Sequence, residues 1–260
     1  MSHGLFVPLE YHPPGLDDFK FPGTFGVDWM DKSFWQAVIA AVVVMALWLW
    51  LSHSMKVVPG KRQVLAEYCY DFIRNTLVRD TIGHDFRKWL PYLVALFSFV
   101  LINNWFGELF FFMFPTFSRV GYVYGLALVS WVVYIGAGIR AQGPLKYFRS
   151  SVLPKGVPVG LWILIIPLEF LSNFITRPLT LSLRLFANMF AGHLIIMIFV
   201  VGGGFLLTYS GNPLFNVTGG LSIVFSFALF ALELFVGFLQ AYVFTVLSAQ
   251  YVASSLDADH

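Results

Sequence analysis

The feature that most limits how this chain folds is the stretch from Phe34 to Leu51, which contains no charged residue. About 20 consecutive apolar residues in a helix cross the hydrocarbon core of a bilayer, and this run is of that length. A helix that is apolar on all sides is buried either in a large protein core or in lipid. Composition decides between them. Of 260 residues, 58% are hydrophobic, 18% aromatic and only 12% charged, whereas a soluble domain carries about 25% charged residues. The chain has too little charge to clothe a water-facing surface, and its hydrophobicity excludes a disordered chain. A single cysteine, Cys69, excludes a small disulfide scaffold. The run is not a signal peptide, because a polar, Pro- and Gly-containing segment precedes it and no basic region leads into it. The expectation is an all-α polytopic membrane protein, with residues 1–260 forming a single transmembrane domain.

Four further apolar segments follow: Leu90 to Phe114, Val120 to Ile139, Pro167 to Leu207, and about Gly219 to Ser254. The first two form a hairpin closed by Pro115 and a short turn holding Arg119. Between the first and second segments, residues 53–88 carry Lys56, Lys61, Arg62, Arg74, Arg79, Arg87 and Lys88. Val64, Leu65, Tyr68, Phe72 and Ile73 recur there at helical spacing, which predicts an in-plane amphipathic helix. A second basic connection holds Arg140, Lys146, Arg149 and Lys155, so the two connections contain most of the 16 Lys and Arg. The segment before the first span is acidic on balance, with Glu10, Asp17, Asp18, Asp28 and Asp31. The positive-inside rule places 1–32 outside and both basic connections in the cytoplasm. Five crossings then leave the C-terminus in the cytoplasm. The last two segments, within 157–254 and joined by a turn at Gly211, Asn212 and Pro213, exceed one bilayer thickness. Each either breaks, for which Arg177-Pro178 offers a place, or is one strongly tilted helix; tilt is the favoured reading.

A charge at the bilayer centre costs at least ~2.5–3.5 kcal/mol on insertion scales, which makes it a functional hypothesis. Glu108, Glu169, Arg177, Arg184, His193 and Glu233 all lie inside or beside apolar stretches. Glu108 and Arg177 sit near segment ends, where they either snorkel to the interface or have a function. Arg184 and Glu233 lie deep inside and read as functional. Arg177, Thr180, Arg184 and Asn188 form one polar stripe, with His193 slightly around from it, while Ser226, Glu233 and Gln240, spaced by seven, form another. Two antiparallel helices would let the stripes face each other. Imidazole and a desolvated carboxylate exchange protons near neutral pH; arginine does not, so it serves as a block and an electrostatic switch.

The stretch Leu181-Ser-Leu-Arg-Leu-Phe-Ala-Asn-Met-Phe-Ala-Gly-His-Leu194 resembles the subunit a family of the F-type ATP synthase. That family's motif is an Arg, an Asn four residues later, an apolar residue, then Ala-Gly and an acid or His. Glu233-Leu-Phe-Val-Gly-Phe-Leu-Gln240 resembles the family's last helix, in which an ionisable residue precedes a Gln by seven. Members pair an acid at one position with His at the other, and here the order is His193 with Glu233. Asn104-Trp-Phe-Gly107 with Pro115, and the basic segment after the first span, extend the resemblance over most of the chain. Two departures stand out. The turn Thr116-Phe-Ser-Arg119-Val lacks the acidic and Asn residues often found there, and Glu169 lies one residue further from Pro178 than in other members.

The resemblance implies a non-catalytic, proton-conducting stator subunit in a bacterial inner membrane, without cofactor or metal. Its partners would be the c-subunit ring, the b subunits of the peripheral stalk, the remaining synthase subunits and lipid, and no nucleic acid. Protons would enter past His193 and Glu233, load a ring carboxylate, and leave near Glu169 after nearly a full turn. Arg184 would separate the two half-channels, with Asn188 and Gln240 lining the path. Long tilted helices would follow the curved ring. The rival from another class is a proton-coupled secondary transporter, which also holds buried Arg and Glu, but the sequence shows no internal repeat of the kind such folds carry. An intramembrane protease is disfavoured by the lack of an HExxH helix or a Gly-x-Ser-x-Gly elbow.

Overall fold

The computed structural model describes residues 13–15, 23, 27, 30–53, 55–109, 115–153, 161–209 and 213–256, and all regular structure among them is helical. The α-helices longer than a single turn are α1 (Lys32–Ser52), α2 (Lys61–Asp71), α3 (Phe86–Glu108), α4 (Val120–Gln142), α5 (Pro144–Val152), α6 (Trp162–Phe170), α7 (Arg177–Tyr209) and α8 (Pro213–Leu256). Two π-helical stretches, Phe72–Arg79 and Leu171–Thr176, carry α2 onward and join α6 to α7. Five helical segments are long and apolar enough to cross a membrane: α1, α3, α4, the continuous Trp162–Thr208 and α8.

α1 starts at Asp31, whose Oδ1 accepts a hydrogen bond from Phe34 N–H at 3.0 Å as an N-cap. The same carboxylate is fully buried, accepts from Tyr122 O–H at 2.9 Å and forms an ion pair with Arg119. Sequence reading counts Asp31 among the charges of an external segment. In the fold it neutralises the cation at the tip of the α3–α4 hairpin. Most of the residues before Met30, including Glu10, Asp17, Asp18 and Asp28, lie outside the described residues.

The hairpin differs from its expected bounds. The apolar run to Phe114 does not stay helical: α3 ends at Glu108, and Leu109 is extended at φ −72°, ψ 133°. The chain turns back so that Pro115 lies on Gly107, where a β-carbon would come within 2.6 Å of Pro115 Cα. Residues 110–114 are outside the described residues. The segment after α1 is helical as expected, but its apolar residues divide. Leu65 and Tyr68 on α2 are exposed, while Ile73, Leu77 and Val78 on the π-helical half are buried in the main core. That core also draws Leu93 and Val100 from α3, Val123 from α4, Leu185 and Met189 from α7, and Ala241 and Phe244 from α8. The second basic connection contains α5, whose Tyr147 ring packs directly on Gly138 of α4; Lys155 is outside the described residues.

The two long segments are unbroken among the described residues. Trp162–Thr208 comprises 47 residues and α8 comprises 44, so each is on the order of 65–70 Å long at 1.5 Å per residue, against a hydrocarbon core of about 30 Å. Helix continues through Arg177-Pro178, and it begins before Pro167 and before Gly219 because the flanking residues are also apolar. Gly211 and Asn212 of the expected turn fall outside the described residues. α7 and α8 pack as an antiparallel hairpin. Near its closed end Gly203 and Gly219 allow backbone-to-backbone approach: a β-carbon on Gly219 would lie 2.7 Å from Gly203 O. There Ser222 Oγ donates to Phe199 O at 2.8 Å. At the other end Gln142 Nε2 donates to Ser255 O at 3.0 Å and ties α4 to α8.

Candidate proton-handling site

The site is assembled by three helices. On α3, Asn104 Nδ2 donates to Gly237 O at 2.8 Å and Trp105 Nε1 donates to Leu234 O at 3.1 Å, both carbonyls of α8. Residues at i and i+4 share a helix face, so docking Asn104 against Gly237 carries Glu108 toward Glu233, four residues back along the antiparallel α8. Both are buried: Glu233 is 7% exposed and the Glu108 side chain 4%. α7 completes the group. His193 is 8% exposed, and its Nδ1 lies 4.0 Å from Glu108 Oε1, an ion pair whenever the imidazole is protonated. Gly192 lies against the Glu233 carboxylate so closely that a β-carbon there would overlap it. Three titratable groups from three helices therefore occupy one buried place.

Glu108 is one of the two residues, with Arg177, for which sequence position allows either snorkelling or function. Burial beside His193 excludes snorkelling. The signal that could have found it is Asn104, which stands in the same motif on the same face.

Arg184 has the opposite surroundings. It precedes His193 by nine residues, about two and a half turns at 3.6 residues per turn, so the two side chains project from opposite faces. His193 is thus not slightly around from the stripe but behind it. Arg184 is exposed, and among the described residues it has no hydrogen-bond or ion-pair partner. The stripe of which it is part does not act as a unit. Thr180 Oγ1 donates to Thr176 O of its own helix at 2.7 Å. Arg177 is half-buried, donates from Nη1 to Ser254 Oγ at 3.2 Å and stacks 5.2 Å from the Tyr251 ring centre, so it is held by the end of α8. Asn188 and Gln240 are half-buried, and Asn188 Nδ2 meets no acceptor among the described residues. Ser226, the first member of the α8 stripe, donates to Ile223 O of its own helix at 2.7 Å. Glu169 lies apart from the cluster, on α6, half-buried, with Oε2 accepting from Asn173 Nδ2 at 3.2 Å.

An acid–imidazole–acid cluster inside an apolar bundle can take up and pass on protons, and an exposed guanidinium can meet a charge on another molecule. A sequence profile described as ATP synthase A chain matches residues 33–253. A protein named ATP synthase subunit a from Nocardioides sp. is 42% identical, the alignment covering 96% of this chain and 95% of that protein. One of the same name from Arthrobacter sp. is 39% identical with the same coverage. Another, from Gluconacetobacter diazotrophicus, is 40% identical over 84% of this chain and 85% of that protein. With both the profile and these relatives spanning the helices that carry Arg184, His193 and Glu233, the chain belongs to the ATP synthase subunit a family.

Proposed function

We propose that this chain is the proton-conducting stator of a bacterial F-type ATP synthase, one membrane domain that provides two offset half-channels to and from a ring of c subunits. The observation that carries the reading is the contrast on α7: three titratable groups are enclosed, while Arg184 is exposed and unpartnered within the described residues. A permanent charge on an apolar helix requires an opposite charge. A ring carboxylate supplies it.

In this reading the end of the bundle with Asp31 and Arg119 is outside, and both basic connections and the C-terminus are cytoplasmic. Protons enter to His193, Glu233 and Glu108, pass along Asn188 and Gln240, and load a ring carboxylate. Arg184 favours the ionised ring carboxylate and repels a proton moving straight across, because a guanidinium does not give up its proton and cannot relay. Protons leave near Glu169. The chain makes no bond in ATP; each proton contributes ~2.3 kcal/mol per 100 mV, so several are needed per ATP. The long α7 and α8 lie strongly tilted against the ring, and the b subunits of the stalk contact the chain elsewhere.

The test is passive proton flux in vesicles whose catalytic heads have been stripped. Arg184→Ala complexes should assemble, make no ATP and leak protons at least about tenfold faster than the parent, which corresponds to ~1.4 kcal/mol off the barrier. Assembled Arg184→Ala complexes with normal synthesis and no leak would contradict the stator reading.

A further inference from the structure

The π turn between Glu169 and Arg177, together with Pro178, leaves two backbone carbonyls without their α-helical i+4 donors. Arg177 N–H reaches back five residues to Ser172 O, so Asn173 O lacks the i+4 donor it would have in an α-helix. Pro178 has no N–H, so Phe174 O lacks its donor as well. An unsatisfied carbonyl in an apolar surrounding is costly, and α4 meets both. Tyr134 O–H donates to Asn173 O at 2.9 Å, and Trp131 Nε1 donates to Phe174 O at 3.1 Å. Tyr134 and Trp131 are three residues apart on one face of α4, matched to two consecutive carbonyls.

The turn held in this way presents the Asn173 side chain. Its Nδ2 donates both of its hydrogens, one to Ser151 O near the end of α5 at 2.7 Å and one to Glu169 Oε2 at 3.2 Å. One amide therefore joins α5 to the carboxylate, while two α4 side chains fix the backbone that carries the amide. None of these four residues, Trp131, Tyr134, Ser151 and Asn173, belongs to the polar stripes of α7 and α8.

We propose that Asn173 is the positioning residue of Glu169: the π turn, locked by Trp131 and Tyr134, aims the Asn173 amide so that it sets the orientation of that carboxylate. The inference rests on the reading of Glu169 as the group near which protons leave. Asn173 itself carries no proton in this arrangement. It acts only through Glu169.

The experiment is ATP-driven proton pumping by intact complexes in membrane vesicles, normalised to assembled complex, for Asn173→Ala, Glu169→Gln and the double variant. Asn173→Ala should lower pumping between about twofold and tenfold, the range of one hydrogen bond's net contribution. In the Glu169→Gln background, which is slower already, the same change should add no further loss, since there is no carboxylate left to orient. Tyr134→Phe, which keeps the ring and removes the donor to Asn173 O, should show a smaller loss that is also absent in that background, and it carries the test if Asn173→Ala does not assemble. Losses that multiply, with Asn173→Ala or Tyr134→Phe costing the same factor with and without Glu169, mean a purely structural role and overturn the inference alone. A Glu169→Gln complex that pumps at the full rate overturns the exit reading, and the inference with it.

Discussion

The two faces of α7 treat charge in opposite ways. On one face His193 is closed in by Glu108 of α3 and Glu233 of α8, with Gly192 allowing the α8 carboxylate to lie against the helix. On the other, Arg184 is exposed and has no hydrogen-bond or ion-pair partner among the described residues. A third position sharpens the contrast. Arg177 lies two turns before Arg184 on the same face, yet Ser254 and Tyr251 at the end of α8 hold it. Two arginines in one stripe thus differ in their surroundings. Arg177 fastens the hairpin to itself, whereas Arg184 has no hydrogen-bond or ion-pair partner among the described residues and is the one that the proposed function pairs with a ring carboxylate.

The enclosed face gives the larger effect after Arg184 itself. If His193 and Glu233 share one site, either single exchange places like groups together. His193→Glu, which would gather three carboxylates, and Glu233→His should each lower proton-driven ATP synthesis by at least about tenfold, the rate equivalent of ~1.4 kcal/mol. The double exchange should recover several-fold over the worse single. Synthesis measured in vesicles with equal amounts of complex checks this, and a double variant no better than the worse single would mean that the pair does not act together.

The smaller effect is expected on the Arg177 side. Arg177→Lys keeps a cation that can reach Ser254, and it loses only the planar stacking on Tyr251. Synthesis should stay within about twofold of the parent, as a contact of roughly 0.5 kcal/mol at a partly exposed ring would allow. A loss as complete as that expected for Arg184→Ala would erase the distinction between the two arginines.

Much of this arrangement was legible in the sequence. Five apolar runs became the five spanning segments, because lipid leaves a backbone little choice but helix. The motif residues around Arg184 and Glu233 marked the two helices that form the hairpin. The orientation of single side chains was less legible. Treating Arg177, Thr180, Arg184 and Asn188 as one stripe ignored that Thr180 bonds its own helix and that Arg177 reaches α8. Asp31 and Glu108 lie at segment ends, where sequence position suggests solvent; Asp31 is buried against Arg119 and Tyr122 of the α3–α4 hairpin, and Glu108 beside His193 of α7, by contacts between segments far apart in sequence. The π turn had no local signature in Leu171-Ser-Asn-Phe-Ile-Thr176. Its cause is distributed between Pro178 and two aromatic donors some forty residues earlier.

The central claim is that the partner of Arg184 lies outside this chain, on the c-ring. Leu183 and Ala187 flank Arg184 and are exposed as it is, whereas Leu181 and Leu185 are buried. The direct measurement is oxidative cross-linking of intact complexes in which Cys69 has been replaced by Ser, with Ala187→Cys on this face and single cysteines along the ring subunit's outer helix. The account predicts a disulfide between position 187 and the ring subunit, located within a turn of its carboxylate, and none when the cysteine is placed at Leu185. Cross-linking to the ring from position 185 but not from 187, or from neither in an active complex, would contradict it.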